Sequence, residues 1–179
     1  MMHNTIGVRK MSSSVPLAAT PEPITMTPIG FVENNIDEPV YIEWKKITSE
    51  LVLFDQHLEA LQSLSDYSHV MILFWMDQAC YTKNTHVPQG KHDEVPEVGM
   101  FACRCPYRPN PIACTTVPLL GISGNRLSVQ GLDAVNHSPI LDIKPYTPQY
   151  DFVCEVNDEA RRMICTNVRL PEWVFKLTY

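Results

Sequence analysis

The sequence predicts a mainly β domain, an antiparallel barrel or sandwich with one or two short helices. Three observations predict it. Short apolar runs recur between turn signals along most of the chain. Fifteen prolines against seven glycines favour loops and strand ends over long helices. Helical spacing of apolar residues is confined to one short stretch, `DQHLEALQSLSDY`.

The totals set the frame. A chain of 179 residues suits one domain with a real core. Its 45% hydrophobic and 19% charged content are those of a soluble globular protein. A net charge of -6 argues against a broadly basic nucleic-acid surface and leaves room for a local basic patch. The N-terminus has no sustained apolar stretch of the secretory kind. The longest apolar run, Val70 to Met76, is too short to span a bilayer. The expected compartment is therefore cytoplasmic. There the thiols of Cys80, Cys103, Cys105, Cys114, Cys154 and Cys165 are reduced.

Taken in order, residues 1–23 are rich in Ser, Pro, Thr and Ala without periodicity. They read as a disordered or loosely attached tail, with an added strand as the alternative. Residues 24–179 form the expected single domain. `ITMTPIGFVEN` is a first strand interrupted by Pro28, and `ELVLF` (50–54) a second. Leu58, Leu61 and Leu64 then recur at helical spacing behind Asp55, a residue type that caps helices, which predicts a short surface helix. The continuous apolar run `HVMILFWM` (69–76) predicts a strand buried on both faces. Residues 77–98 read as a long polar loop, and loops of that length are usually functional or mobile. `VGMFACRC`, `IACTTVPLLGI`, `NRLSVQGLDAV` and `PILDIKPY` continue the strands, and Ser-Gly-Asn at 123–125 marks a hairpin turn. In `NDEARRM`, Asn157 as cap and two acids before two arginines predict a helix start. `RLPEWVF` closes the domain with Trp173 and Phe175 as apolar anchors.

The densest chemistry lies in `FACRCPYRPNPIACTTV` (101–117). Read as a strand, its alternation puts Phe101, Cys103 and Cys105 on one core face. Free cysteine packs as a small hydrophobe, and no second cysteine pair of zinc-ribbon type accompanies these, so no metal is expected. Pro106, Pro109 and Pro111 then hold the chain extended and stiff. Arg104 and Arg108 suit a carboxylate or phosphate. They equally suit a brace in which they pair with Asp133 or Asp142, and the residues alone leave both readings open.

Elsewhere, Leu141 and Ile143 face one way along their strand, and Asp142 and Lys144 the other. That pair is a solvated ion pair or a pocket wall. Gly131 and Asp133 end a strand, as a bulge and turn or as a place where backbone and carboxylate approach a ribose. Asp77 and Gln78 follow the longest apolar run, as a loop start or a pocket rim. His57, His69 and His137 have no partner in sequence and read as structural or exposed.

Together `TPIGFV`, `SLSDYSHVMILFW`, `VGMFACRCPYRPNPI`, `LDAVNHSPILDIKPY` and `PEWV` resemble the TsaA/TrmO-like (YaeB-like) family, in order over residues 24–175. The resemblance implies a small antiparallel β-barrel that dimerises and binds S-adenosylmethionine. It implies methylation of the exocyclic nitrogen of threonylcarbamoyl-adenosine beside the anticodon of tRNA. A small-molecule methyltransferase and a non-enzymatic S-adenosylmethionine- or nucleoside-binding module are the alternatives. By the same resemblance the cofactor is met by Asp77, Gln78, Arg104, Cys114, Gln130, Gly131, Leu132 and Asp133. The substrate is met by Arg108, Asn110, Asp142, Lys144 and Tyr146, with Lys83, Lys91, Arg104 and Arg108 as the basic face for tRNA. No catalytic residue is singled out. The chain departs from the family where relatives carry Pro-Arg-Gln after the first strand and this one has `NNIDEPVYIEWKK`. It departs again at Asp77, Ala113-Cys114 and Asn136-His137-Ser138.

Overall fold

A computed structural model of the chain describes residues 22–39, 42–147, 151, 155–157, 162–164 and 176. The predicted tail up to residue 21 and the Trp173/Phe175 anchor lie outside the described residues.

Six antiparallel strands close into a barrel: β1 (Gly30–Glu33), β2 (Thr48–Leu53), β3 (His69–Trp75), β6 (Ile112–Ser123), β7 (Arg126–Gln130) and β8 (Pro139–Pro145). Their order around the barrel is β1-β2-β7-β6-β3-β8, with β8 returning to pair with β1. Between β3 and β6 a two-stranded hairpin, β4 (Thr85–His86) and β5 (Val98–Gly99), interrupts the predicted polar loop.

Period-two alternation fills the interior. Val32, Leu51, Val70, Ile72, Phe74, Leu127 and Ile140 are all buried to within 1%. Ser49 and Ser138 are buried polar residues beside them, and the Ser49 hydroxyl accepts a 3.0 Å hydrogen bond from the Asn34 amide. β3 corrects the expectation of a strand buried on both faces. Val70, Ile72 and Phe74 point inward, while Met71, Leu73 and Trp75 on the outer face are half-buried.

Two irregularities let the barrel close. Phe74 pairs with Ile140 but Leu73 with Asp142, so Leu141 is bulged. Ile140 and Ile143, rather than Leu141 and Ile143, therefore meet the core. In β6 the register shifts between Leu119 and Gly121, where the strand passes from β3 to β7. Pro118 sits at this changeover, a place where a missing backbone donor is tolerated. The predicted turn joins β6 to β7, with Gly124 at φ 59°.

The helix expected behind Asp55 is a 3-10 segment, Asp55–Leu61, followed by a second, Leu64–Asp66. Phe54, not Asp55, is the residue before its first turn, and no side chain caps it. The helix start expected at Asn157 is overturned. Asn157 ends β9 (Glu155–Asn157) and pairs with Arg162 at the start of β10 (Arg162–Ile164). Cross-strand pairing overrides so weak a local preference as the pattern of acids before arginines.

Gly30 is the tightest point of the wall. A Cβ there would lie 2.2 Å from the Val52 carbonyl oxygen and 2.8 Å from Leu53 Cα, both backbone atoms. Gly30→Ala is expected to destabilise the fold by about 1–3 kcal/mol, as overpacking does. Gly121→Ala, which meets nothing within 4 Å, is expected to leave stability unchanged within about 0.5 kcal/mol. Guanidinium midpoints of the two variants check the pair, and equal midpoints would contradict it.

Candidate functional site

Strand directions decide which loops meet. β1, β3 and β7 run toward one end of the barrel, and β6 and β8 start there. That end therefore carries the connections after Glu33, after Trp75 and after Gln130. The same end receives Asp77, Gln78, Arg104, Arg108, Asn110, Cys114 and the segment Gln130–Asp133.

Hydrogen bonds between these connections hold them in place. The Met76 N–H donates to the Pro111 carbonyl at 2.8 Å, so the exit of β3 abuts the proline-rich segment. Arg104 donates from its guanidinium to the Cys114 carbonyl. The Thr115 hydroxyl donates to Asp133 Oδ1 at 2.5 Å. The Gly131 N–H, at φ 88°, donates to the Ile47 carbonyl at 2.8 Å. That backbone conformation, not lack of space, is what asks for glycine there. Gln78 reaches the Asp37 carbonyl at 3.0 Å, and the Asn136 amide reaches Asp37 Oδ1 at 2.8 Å. The Asn34 amide donates to the Ala134 carbonyl at 2.9 Å, and Asn34 Oδ1 accepts from the Ile36 N–H at 2.9 Å.

The two arginines part company. Arg104 is exposed. Arg108 turns back onto its own loop, donating to the carbonyls of Cys103 at 2.7 Å and Met100 at 3.3 Å. Among the described residues neither forms an ion pair with Asp133 or Asp142. Arg108 is thus a brace, though to backbone carbonyls rather than to a carboxylate.

The strand expected over `VGMFACRC` ends at Gly99, and Met100–Ala102 form a 3-10 turn. The turn breaks the alternation, so Phe101 is 83% exposed instead of sharing a core face with the cysteines. Met100 and Cys105 are the buried pair, with the Cys105 sulfur 3.5 Å from that of Met100. Among the described residues no group of three or more metal-ligating side chains comes together.

Cys114 lies on the outer face of β6, opposite Leu73, which on its other side pairs with Asp142. Burial pushes the Cys114 thiol above its ordinary pKa. Arg104 opposes that shift, while Asp151 and Asp133 reinforce it. One guanidinium and two carboxylates therefore act in opposite directions on a half-buried thiol. Asp151 and Thr115 are residues that sequence reasoning missed. Thr115 lay inside a strand with no motif of its own, and Asp151 reaches Cys114 only through the chain beyond β8.

Of the rest of the expected substrate set, Asp142 sits level with Cys114 across Leu73, and Lys144 and Tyr146 lie further along the chain toward the opposite end. Asp142 pairs with Lys144 at 2.7 Å, both half-exposed, on the outer face of β8. Asp142 also borders a separate cleft of about 510 Å³ lined by Leu61, Leu64 and Tyr67. Tyr146 lies toward the opposite end, its ring 6.4 Å from that of His69. Of the expected basic face, Lys83 is paired with Glu97 at 3.3 Å and Lys91 donates to the Lys176 carbonyl at 2.8 Å.

The family described as the tRNA-methyltransferase O N-terminal domain matches residues 37–152. The chain belongs to this family. It is 36% identical over 138 residues to an S-adenosyl-L-methionine-binding protein of Archaeoglobus fulgidus, covering 75% of this chain and 97% of that one. It is 34% identical over 104 residues to the tRNA (adenine(37)-N6)-methyltransferase of Homo sapiens, covering 55% of this chain and 22% of the human one. The crystal structure of TrmO from P. aeruginosa superposes with a TM-score of 0.62 at 30% identity, over 77% of this chain and 61% of that one. The chain thus spans about three-fifths of that solved TrmO and nearly all of the archaeal protein. These likenesses agree with the closed antiparallel barrel described above.

Within this member of the TrmO family, burial and the neighbouring Cys105 push the Cys103 thiol up to about 11. The thiolate forms only as pH rises through that value. At pH 8 roughly one Cys103 in a thousand is thiolate. In the native protein Cys103 is expected to stay unmodified by iodoacetamide at pH 8 while the exposed Cys80 is alkylated. Peptide mass spectrometry reads this, and equal labelling of the two would contradict the raised pKa of the half-buried thiol.

Proposed function

We propose that the protein is an S-adenosylmethionine-dependent methyltransferase acting on the N6 nitrogen of adenosine 37 in tRNA. What supports the reading is the meeting of three chain-distant segments, 77–78, 104–114 and 130–133, at one end of the barrel of a TrmO-family chain. The donors there suit the cofactor's parts. Arg104 is exposed and cationic, matching a carboxylate. Asp133 is exposed, matching an ammonium group or a ribose hydroxyl pair. The backbone of Gly131 and Leu132 lies beside it for an adenine edge, and Cys114 offers a neutral apolar wall. Asp77 and Gln78 follow β3, and Gln130 ends β7, at the same end of the barrel.

When bound, the cofactor supplies a methyl group already activated by its sulfonium, so no metal or nucleophilic side chain is called for. The protein's part is alignment of the acceptor nitrogen with that methyl and removal of the nitrogen's proton. Braced loops serve alignment, because misplacement by about an ångström costs up to about a hundredfold in rate. Threonylcarbamoyl-adenosine is the proposed form of the acceptor, and a homodimer the proposed assembly. Among the described residues no helix is long and apolar enough to cross a membrane.

The net charge of -6 favours one other reading, a small-molecule acceptor. Nucleoside mass spectrometry of tRNA from a deletion strain separates the two. Loss of the N6-methylated nucleoside is expected, and an unchanged profile would exclude tRNA. Arg104→Ala is expected to weaken S-adenosylmethionine binding about tenfold or more in calorimetry, with an unchanged circular dichroism spectrum. Wild-type affinity in that variant would remove Arg104 from the site.

A further inference from the structure

The loop that carries Arg104 holds a large apolar ring in solvent and spends a second arginine on keeping it there. Phe101 is 83% exposed. Its backbone is clamped on both sides: Met100 is buried to 3%, and Arg108 donates to the carbonyls of Met100 and Cys103. The same guanidinium stands 5.7 Å from the centre of the Phe101 ring. An exposed phenylalanine on a loose loop needs no explanation. This one sits on a backbone held by hydrogen bonds on either side and is backed by a planar cation, which lowers the entropy cost of covering it. Tyr107, 43% exposed, is also fixed, its ring 5.5 Å from His86 at 60°.

We propose that Phe101, backed by Arg108, is a stacking platform for an unpaired base of the RNA substrate, with Tyr107 as a second aromatic surface nearby. The inference rests on the tRNA reading above and deepens it. A nucleotide offers the flat π face of its base and a phosphate beside it; the loop offers a ring, a guanidinium behind it and the exposed Arg104 three residues on. An acidic peptide would satisfy the arginines and leave the ring without a flat partner. Lys83 adds little charge here, since it is held by Glu97.

The test is fluorescence anisotropy with a labelled anticodon stem-loop RNA, run beside calorimetry with S-adenosylmethionine. Phe101→Ala is expected to weaken RNA binding roughly ten- to a hundredfold, and Phe101→Leu to behave similarly. Phe101→Trp is expected to keep wild-type RNA affinity, and all three to keep wild-type cofactor affinity. If wild-type protein binds the RNA and Phe101→Ala binds it equally well, the platform is overturned and the tRNA reading stands. If wild-type protein binds the cofactor but not the RNA, the tRNA reading fails and the platform with it. If Phe101→Ala changes the oligomeric state in sedimentation but not RNA affinity, the face belongs to a second copy of the chain and the platform is again overturned.

Discussion

Closure of the sheet through β8 is the constraint on which the rest depends. β8 is hydrogen bonded to β3 along one side and to β1 at its start. The bulge at Leu141 lets Ile140 and Ile143 both face the core while the strand bends. Without that closure β1 and β3 would each present an unpaired edge. With it, three loops far apart in sequence share one rim. A six-stranded barrel this narrow is filled by its own side chains, so a ligand must be met outside the core, at the rim or on the outer face.

The rim is held by side chains more than by sheet. Asn34 reaches the β7–β8 connection through Ala134 and also satisfies buried Ser49. Asp37 receives Gln78 and Asn136. Thr115 fixes Asp133, and Arg104 ties its loop to β6 at Cys114. Each bond contributes only about 1 kcal/mol of net stability. Their joint effect is positional: they restrict where the loops sit relative to each other, which methyl transfer by alignment requires.

The proline-rich segment divides its labour by direction. Arg108 bonds back to its own loop, Arg104 reaches across to the Cys114 carbonyl of β6 while staying exposed, and Phe101 is displayed between buried Met100 and half-buried Cys103. Proline stiffness makes that division cheap, since little conformational freedom is left to lose. An acidic chain thus presents aromatic and cationic groups at one chosen place instead of a broad basic surface.

Much of this was legible locally. All six barrel strands are marked by apolar or β-branched runs, the β6–β7 turn by Gly124 and Asn125, and the stiffness of 105–111 by its prolines. Those features depend on residues close in sequence, where steric preference and period suffice. The sequence motifs by themselves also placed the chain with its family. The hairpin at Asn157–Arg162, the 3-10 turn at Met100–Ala102, the bulge at Leu141 and the differing fates of Arg104 and Arg108 were not legible. The bulge, the 3-10 turn with its buried Met100 and the bond from Arg104 to Cys114 depend on groups brought together from different parts of the chain, while the hairpin, a two-stranded sheet apart from the barrel, depends on its own cross-strand pairing and Arg108 on the carbonyls of its own loop. The sequence by itself therefore determined the strands and the chemical types available for a site. The tertiary structure decided which of them meet, because side-chain direction at a bulge, a 3-10 turn or a braced loop follows long-range packing and not local period.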